Sequence, residues 1–148
     1  GDDYINVDII PSQDIDLVWD LEHGLPVEDG AKVFPENSVD EFLAFHVLEH
    51  IRGLIPLMDE IHTALKPTGV LHIKVPNAYH VRAAWSDPTH VRAFTSYTFE
   101  YFTPSSLAAY PYTVKSWNIV SLAINGTAPD DLWEIEVFMT PIKETSNA

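Results

Sequence analysis

The sequence predicts an α/β fold whose sheet is mostly parallel and ends in an antiparallel hairpin. A strand, a helix and a second strand follow one another over residues 39–76, the order of a right-handed βαβ unit. Two segments of alternating hydrophobicity, 116–124 and 132–142, flank the turn sequence NGTAPDD, which favours a β-hairpin. With 148 residues and a 46% hydrophobic composition, residues 1–148 are expected to form a single domain.

Three strands are predicted before the first helix. Residues 4–10 form a short predicted strand that Pro11 stops, and residues 15–21 form a second one. A polar connector with two glycines and two prolines then leads to a third strand at 39–47. That strand is apolar on both faces toward its end, which is typical of a buried parallel strand.

The clearest helix is predicted over residues 54–69, because its apolar residues recur at intervals of three and four. Lys66 falls in the predicted last turn and Pro67 follows it. Gly69 can adopt the left-handed conformation that ends a helix. A strand at 70–76 completes the βαβ unit.

Residues 77–110 are predicted to form an insertion of short helices on the substrate side of the sheet. The first part of this segment has no strand pattern, and short helices are predicted at 78–85 and 97–102. Thr103 is the predicted N-cap of a further helix, with Pro104 at its first position.

Composition narrows the range of functions. The net charge of −14 argues against a nucleic-acid groove, which needs a positive surface. The absence of cysteine excludes disulfides, thiolate catalysis and cysteine-ligated metal sites. No apolar run approaches the roughly 20 residues of a membrane span, so we expect a cytoplasmic protein without a membrane partner. The acidic residues are concentrated in the first 60 positions, a pattern typical of a solvated face that would also suit a cationic ligand.

Two aspartates near strand ends are candidate binding residues. Asp8 occupies the position where nucleotide-binding α/β proteins place an acid that accepts hydrogen bonds from the ribose hydroxyls. Asp20 ends the next strand and could reach an adenine amino group, with the backbone of Leu21 beside the ring. Taken alone, either aspartate is more typical of a turn or a helix cap.

The segment HVLEH, from His46 to His50, is the most informative motif. It matches the H-x-x-E-H pattern of zinc hydrolases, in which two histidines bind zinc and Glu49 would act as the base. That zinc site requires the motif well inside a helix, whereas here it directly follows a predicted strand. We therefore expect no metal at His46 and His50. His46 lies instead at the carboxyl end of a strand, and a buried histidine with a partner is the structural alternative.

A second histidine segment is WSDPTHVRAFT, which contains Asp87, His90 and Arg92. It lies between a strand end and the next predicted helix, and loops at that edge of an α/β sheet carry substrates. The alternative is an ordinary Asp-Pro turn with a surface histidine.

Together these segments resemble a class I S-adenosylmethionine-dependent methyltransferase of the type 11-like group. The resemblance runs from Tyr4 to Phe102 through YINVDI, DLVWDLEHGLPVEDGA, SVDEFLAFHVLEHI, LKPTGVLHIKVPN and DPTHVRAFT. Val27 and Thr68 depart mildly from the family pattern, which commonly has an aromatic residue and a glycine there. The resemblance implies a Rossmann-like methyltransferase sandwich, with a seven-stranded sheet between two helical layers.

The resemblance also implies roles for individual residues. Asp8 would hold the ribose hydroxyls of S-adenosylmethionine, and Ile9 belongs to the same cofactor-binding set. Asp20 and Leu21 would frame the adenine. His46 would lie near the methyl donor.

One departure from the family is serious. The family's first strand and its Gly-rich turn should precede Tyr4, and the six glycines of the chain contain no G-x-G. We therefore expect an N-terminally truncated sheet without the first strand and helix, and Gly1 beside a matching strand favours a fragment. Alternatively, a second chain supplies the missing strand, or the sheet closes up without it.

The predicted function is methyl transfer to a small-molecule, sugar or lipid-precursor acceptor. His46 is the predicted base, because it follows a strand end and imidazoles titrate near neutral pH, and His90 is the second candidate. A non-catalytic methyltransferase-like remnant or interaction module is the alternative, and a zinc hydrolase is a remote one. We expect weak S-adenosylmethionine binding and a homo-oligomer, because the missing strand leaves exposed strand edges.

Overall fold

A computed structural model of the protein describes residues 4–144 and places most of its strand residues in one four-stranded sheet. The strands are β1 (Val7–Asp8), β2 (Leu17–Val18), β3 (Val27–Glu28), β4 (Ala31–Lys32), β5 (Val39–Phe45), β6 (Leu65–Pro76), β7 (Ser116–Asn125) and β8 (Glu134–Ile142). The α-helices are α1 (Leu54–Ala64), α2 (Val81–Trp85) and α3 (Pro104–Ala109), and 3-10 turns cover Leu21–His23, Leu48–His50 and Thr98–Phe102.

The four long strands lie in the order β5-β6-β8-β7. β5 and β6 are parallel and are connected through α1, so the predicted βαβ unit is present. β8 pairs antiparallel with both β6 and β7 and therefore lies between them. Because β8 runs against β6, its first residue lies at the carboxyl end of β6.

One face of this sheet forms the core. Leu71, Ile73 and Val75 alternate along β6 with half-buried polar residues and are fully buried, as are Val137 and Met139 on β8. The apolar stripe of α1 belongs to the same cluster. The opposite face of the sheet is more polar and more exposed.

β5 differs from its prediction. It ends at Phe45 rather than at residue 47, and Leu43 and Phe45 are 43% and 38% exposed. The expectation of a strand buried on both faces was wrong, because β5 is an edge strand that pairs only with β6 within residues 4–144.

The end of α1 also differs. The helix stops at Ala64, so Lys66, Pro67 and Gly69 belong to β6, where the pairing with β5 shifts register. Gly69 does not have a positive φ, and the predicted left-handed stop was wrong. Its lack of a side chain serves close packing, because a Cβ there would lie 2.8 Å from Leu65 Cδ2.

The N-terminal strands are much shorter than predicted. β1 and β2 are two residues each and form a parallel pair of their own. In the described part of the chain, neither strand is hydrogen-bonded to the four-stranded sheet. Within residues 4–144, β1 and β2 therefore do not close up against β5 to form one sheet, as one of the alternatives expected.

The connection between β6 and β7 contains the predicted short helices. α2 lies within the predicted 78–85 segment, the 3-10 turn Thr98–Phe102 within 97–102, and Thr103 precedes α3 as its N-cap. Phe94 and Phe99 stack at 5.5 Å and are fully buried, which anchors this connection to the core. None of the helices in residues 4–144 has the length and hydrophobicity needed to cross a membrane.

Candidate functional site

His46 lies at the point where β5 ends. Its backbone has a φ of +57°, and its N–H donates to the carbonyl of Lys74 at 2.8 Å. A positive φ is uncommon for a residue with a side chain, and such conformations cluster at functional sites. The imidazole stacks on Trp133 with ring centroids 5.8 Å apart and keeps a side-chain exposure of 40%.

Glu134 is the hydrogen-bonding partner of this imidazole. Its Oε1 lies 2.9 Å from His46 Nε2, and its side chain is only 9% exposed. Glu134 is the first residue of β8 and pairs with Pro76, which places it at the carboxyl end of β6. Because a carboxylate only accepts hydrogen bonds, the Nε2 atom carries the proton and Nδ1 keeps a lone pair.

Glu49 lies on the other side of His46, in the 3-10 turn Leu48–His50. One of its carboxylate oxygens is 3.7 Å from His46 Nδ1, and the residue is 1% exposed. Burial raises the pKa of the Glu49 carboxyl, although its backbone hydrogen bond and the neighbouring imidazoles oppose this effect. Within residues 4–144, Glu49 Oε1 has no hydrogen-bonding partner.

The HVLEH segment does not have the geometry of the zinc-hydrolase motif. His50 lies in a 3-10 turn rather than inside an α-helix, and His46 is bonded to Glu134. The ring of His50 lies against the ring of His90, with centroids 4.8 Å apart. His90, which was the second predicted base, is thus a neighbour of His50 and Glu49.

Asp8 and Asp20 perform the local roles that such residues usually have. Asp8 Oδ1 accepts a hydrogen bond from the N–H of Ile10 at 3.0 Å, and Asp20 caps the turn Leu21–His23 through the N–H of Glu22 at 2.9 Å. The second oxygen of Asp8 accepts no hydrogen bond from residues 4–144.

The other two predicted cofactor residues differ in exposure. Ile9 is 59% exposed, whereas Leu21 packs partly against the core. A ligand at this edge would therefore contact the side chain of Ile9 but mainly the backbone of Leu21.

Two hydrogen bonds relate β1 and β2 to β5. Tyr4, before β1, donates to Glu41 in β5 at 2.7 Å. The N–H of Arg52, after β5, donates to Glu22, after β2, at 2.7 Å. We expect Asp8, Asp20 and His46 to line one crevice at the carboxyl edge of the sheet, because each follows a strand in a parallel arrangement. These contacts are consistent with that expectation, which stays a prediction.

The residues fit the nucleoside half of S-adenosylmethionine better than its methionine half. Asp8 offers a free carboxylate oxygen to a ribose. Among residues 4–144 the glycines with positive φ are Gly24 and Gly30, which both lie between β2 and β5. A Cβ on Gly24 would meet the carboxylate of Glu60, so this glycine faces α1.

The site contains residues that the sequence did not single out. Glu134 and Trp133, which hold the His46 ring, were predicted only as parts of a strand. Their connection to His46 depends on β8 lying beside β6, and nothing in the local sequence of β8 indicates this order.

A family model described as a methyltransferase domain matches residues 1–110. This match covers most of the chain, which therefore belongs to that family of methyltransferase domains. No curated protein has a sequence that matches this chain.

One solved structure supports a methyltransferase-like fold. The 1,6-didemethyltoxoflavin-N1-methyltransferase of Burkholderia thailandensis, with bound 1,6-didemethyltoxoflavin and S-adenosylhomocysteine, is similar at a TM-score of 0.59 and 14% identity. The similarity covers 93% of this chain and 60% of that one. An S-adenosylmethionine-dependent methyltransferase from Archaeoglobus fulgidus has a TM-score of 0.49 and 14% identity, covering 72% of this chain and 61% of that one. The chain thus spans less than two thirds of the length of either protein.

Proposed function

We propose that the protein takes part in methyl transfer from S-adenosylmethionine to a small-molecule acceptor. The observation that carries this proposal is the His46–Glu134 pair, a half-exposed imidazole held by a buried carboxylate where β5 ends. Membership of the methyltransferase family gives the reaction class. Sugars and lipid precursors are included among the candidate acceptors.

Four residues are proposed to hold the nucleoside end of the cofactor. Asp8 would accept hydrogen bonds from ribose hydroxyls through its free oxygen, with Ile9 beside it. Asp20 and the backbone of Leu21 would contact the adenine. The bound cofactor supplies an electrophilic methyl group, so the protein mainly has to position the acceptor and remove a proton.

His46 is proposed to take that proton. Glu134 holds Nε2–H and leaves the lone pair on Nδ1, which makes Nδ1 the accepting atom. Glu134 is thus a positioning residue rather than a catalytic one. His90 is the second candidate base, but its side chain is 10% exposed and less accessible than that of His46.

The net charge of the chain and one similar solved structure indicate the chemical class of the methyl acceptor. The net charge of −14 disfavours DNA or RNA. The Burkholderia enzyme was solved with bound 1,6-didemethyltoxoflavin, which supports a small-molecule acceptor here. A cytoplasmic location and a homo-oligomer remain part of this proposal.

Cofactor affinity is tested by an NMR titration with S-adenosylhomocysteine. We expect weak binding, with shifts at Asp8, Asp20 and His46, because the sequence has no Gly-rich turn to approach the methionine half. The variant Asp8→Asn should weaken these shifts, whereas Asp14→Asn on the exposed β1–β2 connection should not. Micromolar affinity would contradict the expected weakness.

The same titration separates the alternative function. Within residues 4–144, β5 pairs with β6 alone and the β1–β2 pair forms a separate sheet, which favours a non-catalytic interaction module as the second candidate. Such a module would show no saturable shift at any concentration, and that result would overturn the enzyme proposal.

Catalysis is tested with methyl-labelled S-adenosylmethionine and a panel of small acceptors. His46→Asn should lower the transfer rate about 10²- to 10⁴-fold, the range for loss of a general base. Glu134→Gln should lower it less and change its pH profile, because the imidazole loses its fixed orientation. His23→Asn, a change at an exposed histidine, is the control, and an unchanged rate in His46→Asn would refute the assignment.

A further inference from the structure

Three potential metal ligands meet beside His46 without including it. Glu49, His50 and His90 each offer one ligand atom, and these atoms all lie within 4.8 Å of one another. Glu49 and His50 come from the turn after β5, whereas His90 comes from the loop between α2 and Phe94. The cluster therefore joins two segments that are 40 residues apart in the chain.

The protonation of His50 follows from its hydrogen bonds. Thr89 Oγ1 donates its single proton to Asp87 Oδ1 at 2.6 Å. His50 Nδ1 lies 3.0 Å from the same hydroxyl, which has no second proton to give. His50 Nδ1 must then be the donor, so its Nε2 atom keeps a lone pair.

His90 has the same tautomer. Its Nδ1 lies 2.9 Å from the carbonyl oxygen of Ala84, which can only accept a hydrogen bond. In the neutral ring the Nε2 atom therefore keeps a lone pair, and it lies 3.6 Å from Asp87 Oδ2. Histidines that bind metals almost always donate their other ring N–H to a carbonyl, carboxylate or water. His90 has such a carbonyl, and His50 has the Thr89 hydroxyl instead.

Glu49 supplies the independent observation. Its side chain is 2% exposed, and its Oε1 atom has no hydrogen-bonding partner within residues 4–144. Its other oxygen lies 3.7 Å from His46 Nδ1. A buried carboxylate oxygen without a hydrogen-bonding partner is costly unless it binds a metal. A cation between Glu49 and the two imidazoles would satisfy this oxygen.

The surrounding backbone holds the two segments together. The N–H of Val91 donates to the carbonyl of Glu49 at 2.8 Å. The guanidinium of Arg92 donates to the carbonyls of Ile51 and Arg52 at 3.2 and 2.6 Å. The ligands are therefore positioned by main-chain contacts, independently of any ion.

We propose that Glu49, His50 and His90 form a binding site for one divalent transition-metal ion. Two imidazoles and one carboxylate suit Zn²⁺ and its neighbours in the first transition series better than Mg²⁺ or Ca²⁺, which prefer oxygen ligands only. This proposal departs from our expectation of no metal at His46 and His50, which stays a prediction for that pair. It shares His50 and Glu49 with the H-x-x-E-H motif, but His90 takes the place of His46 and Glu49 is a ligand instead of a base.

The experiment is a calorimetric titration of the chelator-treated full chain with Zn²⁺, repeated with Co²⁺ to record its absorption bands. We expect one ion per chain. His50→Ala and His90→Ala should each abolish the saturable uptake, while His23→Ala, at an exposed histidine, should leave it unchanged. Equal uptake by these three variants, or no uptake by the wild type, would overturn the proposal.

Two further measurements avoid reliance on variants that fold poorly. Thr89→Val removes only the hydroxyl that orients His50, and it should weaken Zn²⁺ binding about 10- to 100-fold. In the wild type, histidine ¹⁵N spectra should show Zn²⁺ bound at Nε2 of His50 and His90, with both Nδ1 atoms still protonated. Zn²⁺ bound at other imidazoles would refute the site. None of these readouts needs the methyl donor, so they stand apart from the proposed function.

Discussion

The four-stranded sheet and the β1–β2 pair are built very differently. The sheet has strands of seven to twelve residues, and its fully buried side chains include Trp117, Ile135 and Val137. β1 and β2 have two residues each. Ile10, two residues after β1, is 70% exposed, and Val18 in β2 is 56% exposed. An isolated two-stranded pair is marginal in water, so the sheet must provide most of the stability.

This difference has a functional consequence. His46 and Glu134 belong to the ends of sheet strands, whereas Asp8 and Asp20 belong to the weakly paired region. The proposed base is therefore held at the end of long sheet strands. The proposed cofactor residues are held by local hydrogen bonds beside two-residue strands.

The largest effect is expected from a change in the sheet. Trp117→Ala should lower the free energy of unfolding by about 3–5 kcal/mol, because it leaves a cavity in a fully buried position. Val18→Ala in β2 should change it by less than about 0.5 kcal/mol. Urea denaturation of both variants measures the contrast, and similar losses would show that the two regions contribute equally.

The next effect concerns the turn between β7 and β8. A Cβ on Gly126 would lie 1.9 Å from the carbonyl oxygen of Asp131, so Gly126→Ala should force the backbone apart and cost about 1–3 kcal/mol. Gly53→Ala meets no atom within 4 Å and is the matched control, with a cost below about 1 kcal/mol. Thermal unfolding of the two variants gives the comparison, and equal losses would contradict the predicted clash.

The same contrast explains what the sequence could predict. The βαβ unit was predictable because the apolar residues of α1 recur at helical spacing and the flanking strands are long. The length of β1 and β2 was not predictable, because apolar residues such as Ile9 and Ile10 indicate a strand whether or not a neighbouring strand is present. The exposed face of β5 was missed for the same reason.

The candidate site was predictable only in part. A histidine at a strand end was visible in the sequence, and His46 lies there. Its partner Glu134 is 88 residues away and is brought close by the position of β8 in the sheet, which no local pattern encodes. The contact between His50 and His90 likewise depends on how the loop after α2 folds back.

A smaller effect is expected from pH. His62 in α1 bonds the carbonyls of Ser116 and Ile142 through Nε2, both at 3.0 Å, and burial lowers the pKa of its imidazole below the ordinary 6.5. As pH falls through 6.5, the unfolded chain therefore binds a proton that the folded chain does not. The contribution of His62 to stability is complete above pH 6.5 and decreases below it, down to the lowered pKa.

Urea midpoints between pH 8 and pH 5 measure this dependence. His62→Gln should have a shallower slope than the wild type below pH 6.5, because glutamine does not titrate. His23→Gln changes an exposed histidine and should keep the wild-type slope. Glu49 has the opposite pH dependence, because its raised pKa makes stability fall above pH 4.5. Each variant is compared with the wild type, which also contains Glu49, so this dependence cancels. Parallel slopes for wild type and His62→Gln would contradict the assignment.

The smallest effect on stability concerns the two edges of the sheet. β5 and β7 are both edge strands in residues 4–144, but only β5 faces the side where β1 and β2 lie apart from the sheet. If a second copy of the chain covers that gap, a lysine on β5 should oppose the pairing, because charged side chains protect strand edges.

Leu43→Lys, at a residue that is 43% exposed, should therefore reduce self-association in light scattering and change the free energy of unfolding by less than about 0.5 kcal/mol. Val120→Lys places the same charge on β7 at a side chain that is 63% exposed, and it should leave association unchanged. A wild-type chain that is monomeric at high concentration, or equal effects of the two lysines, would show that the β5 edge does not bind a second copy.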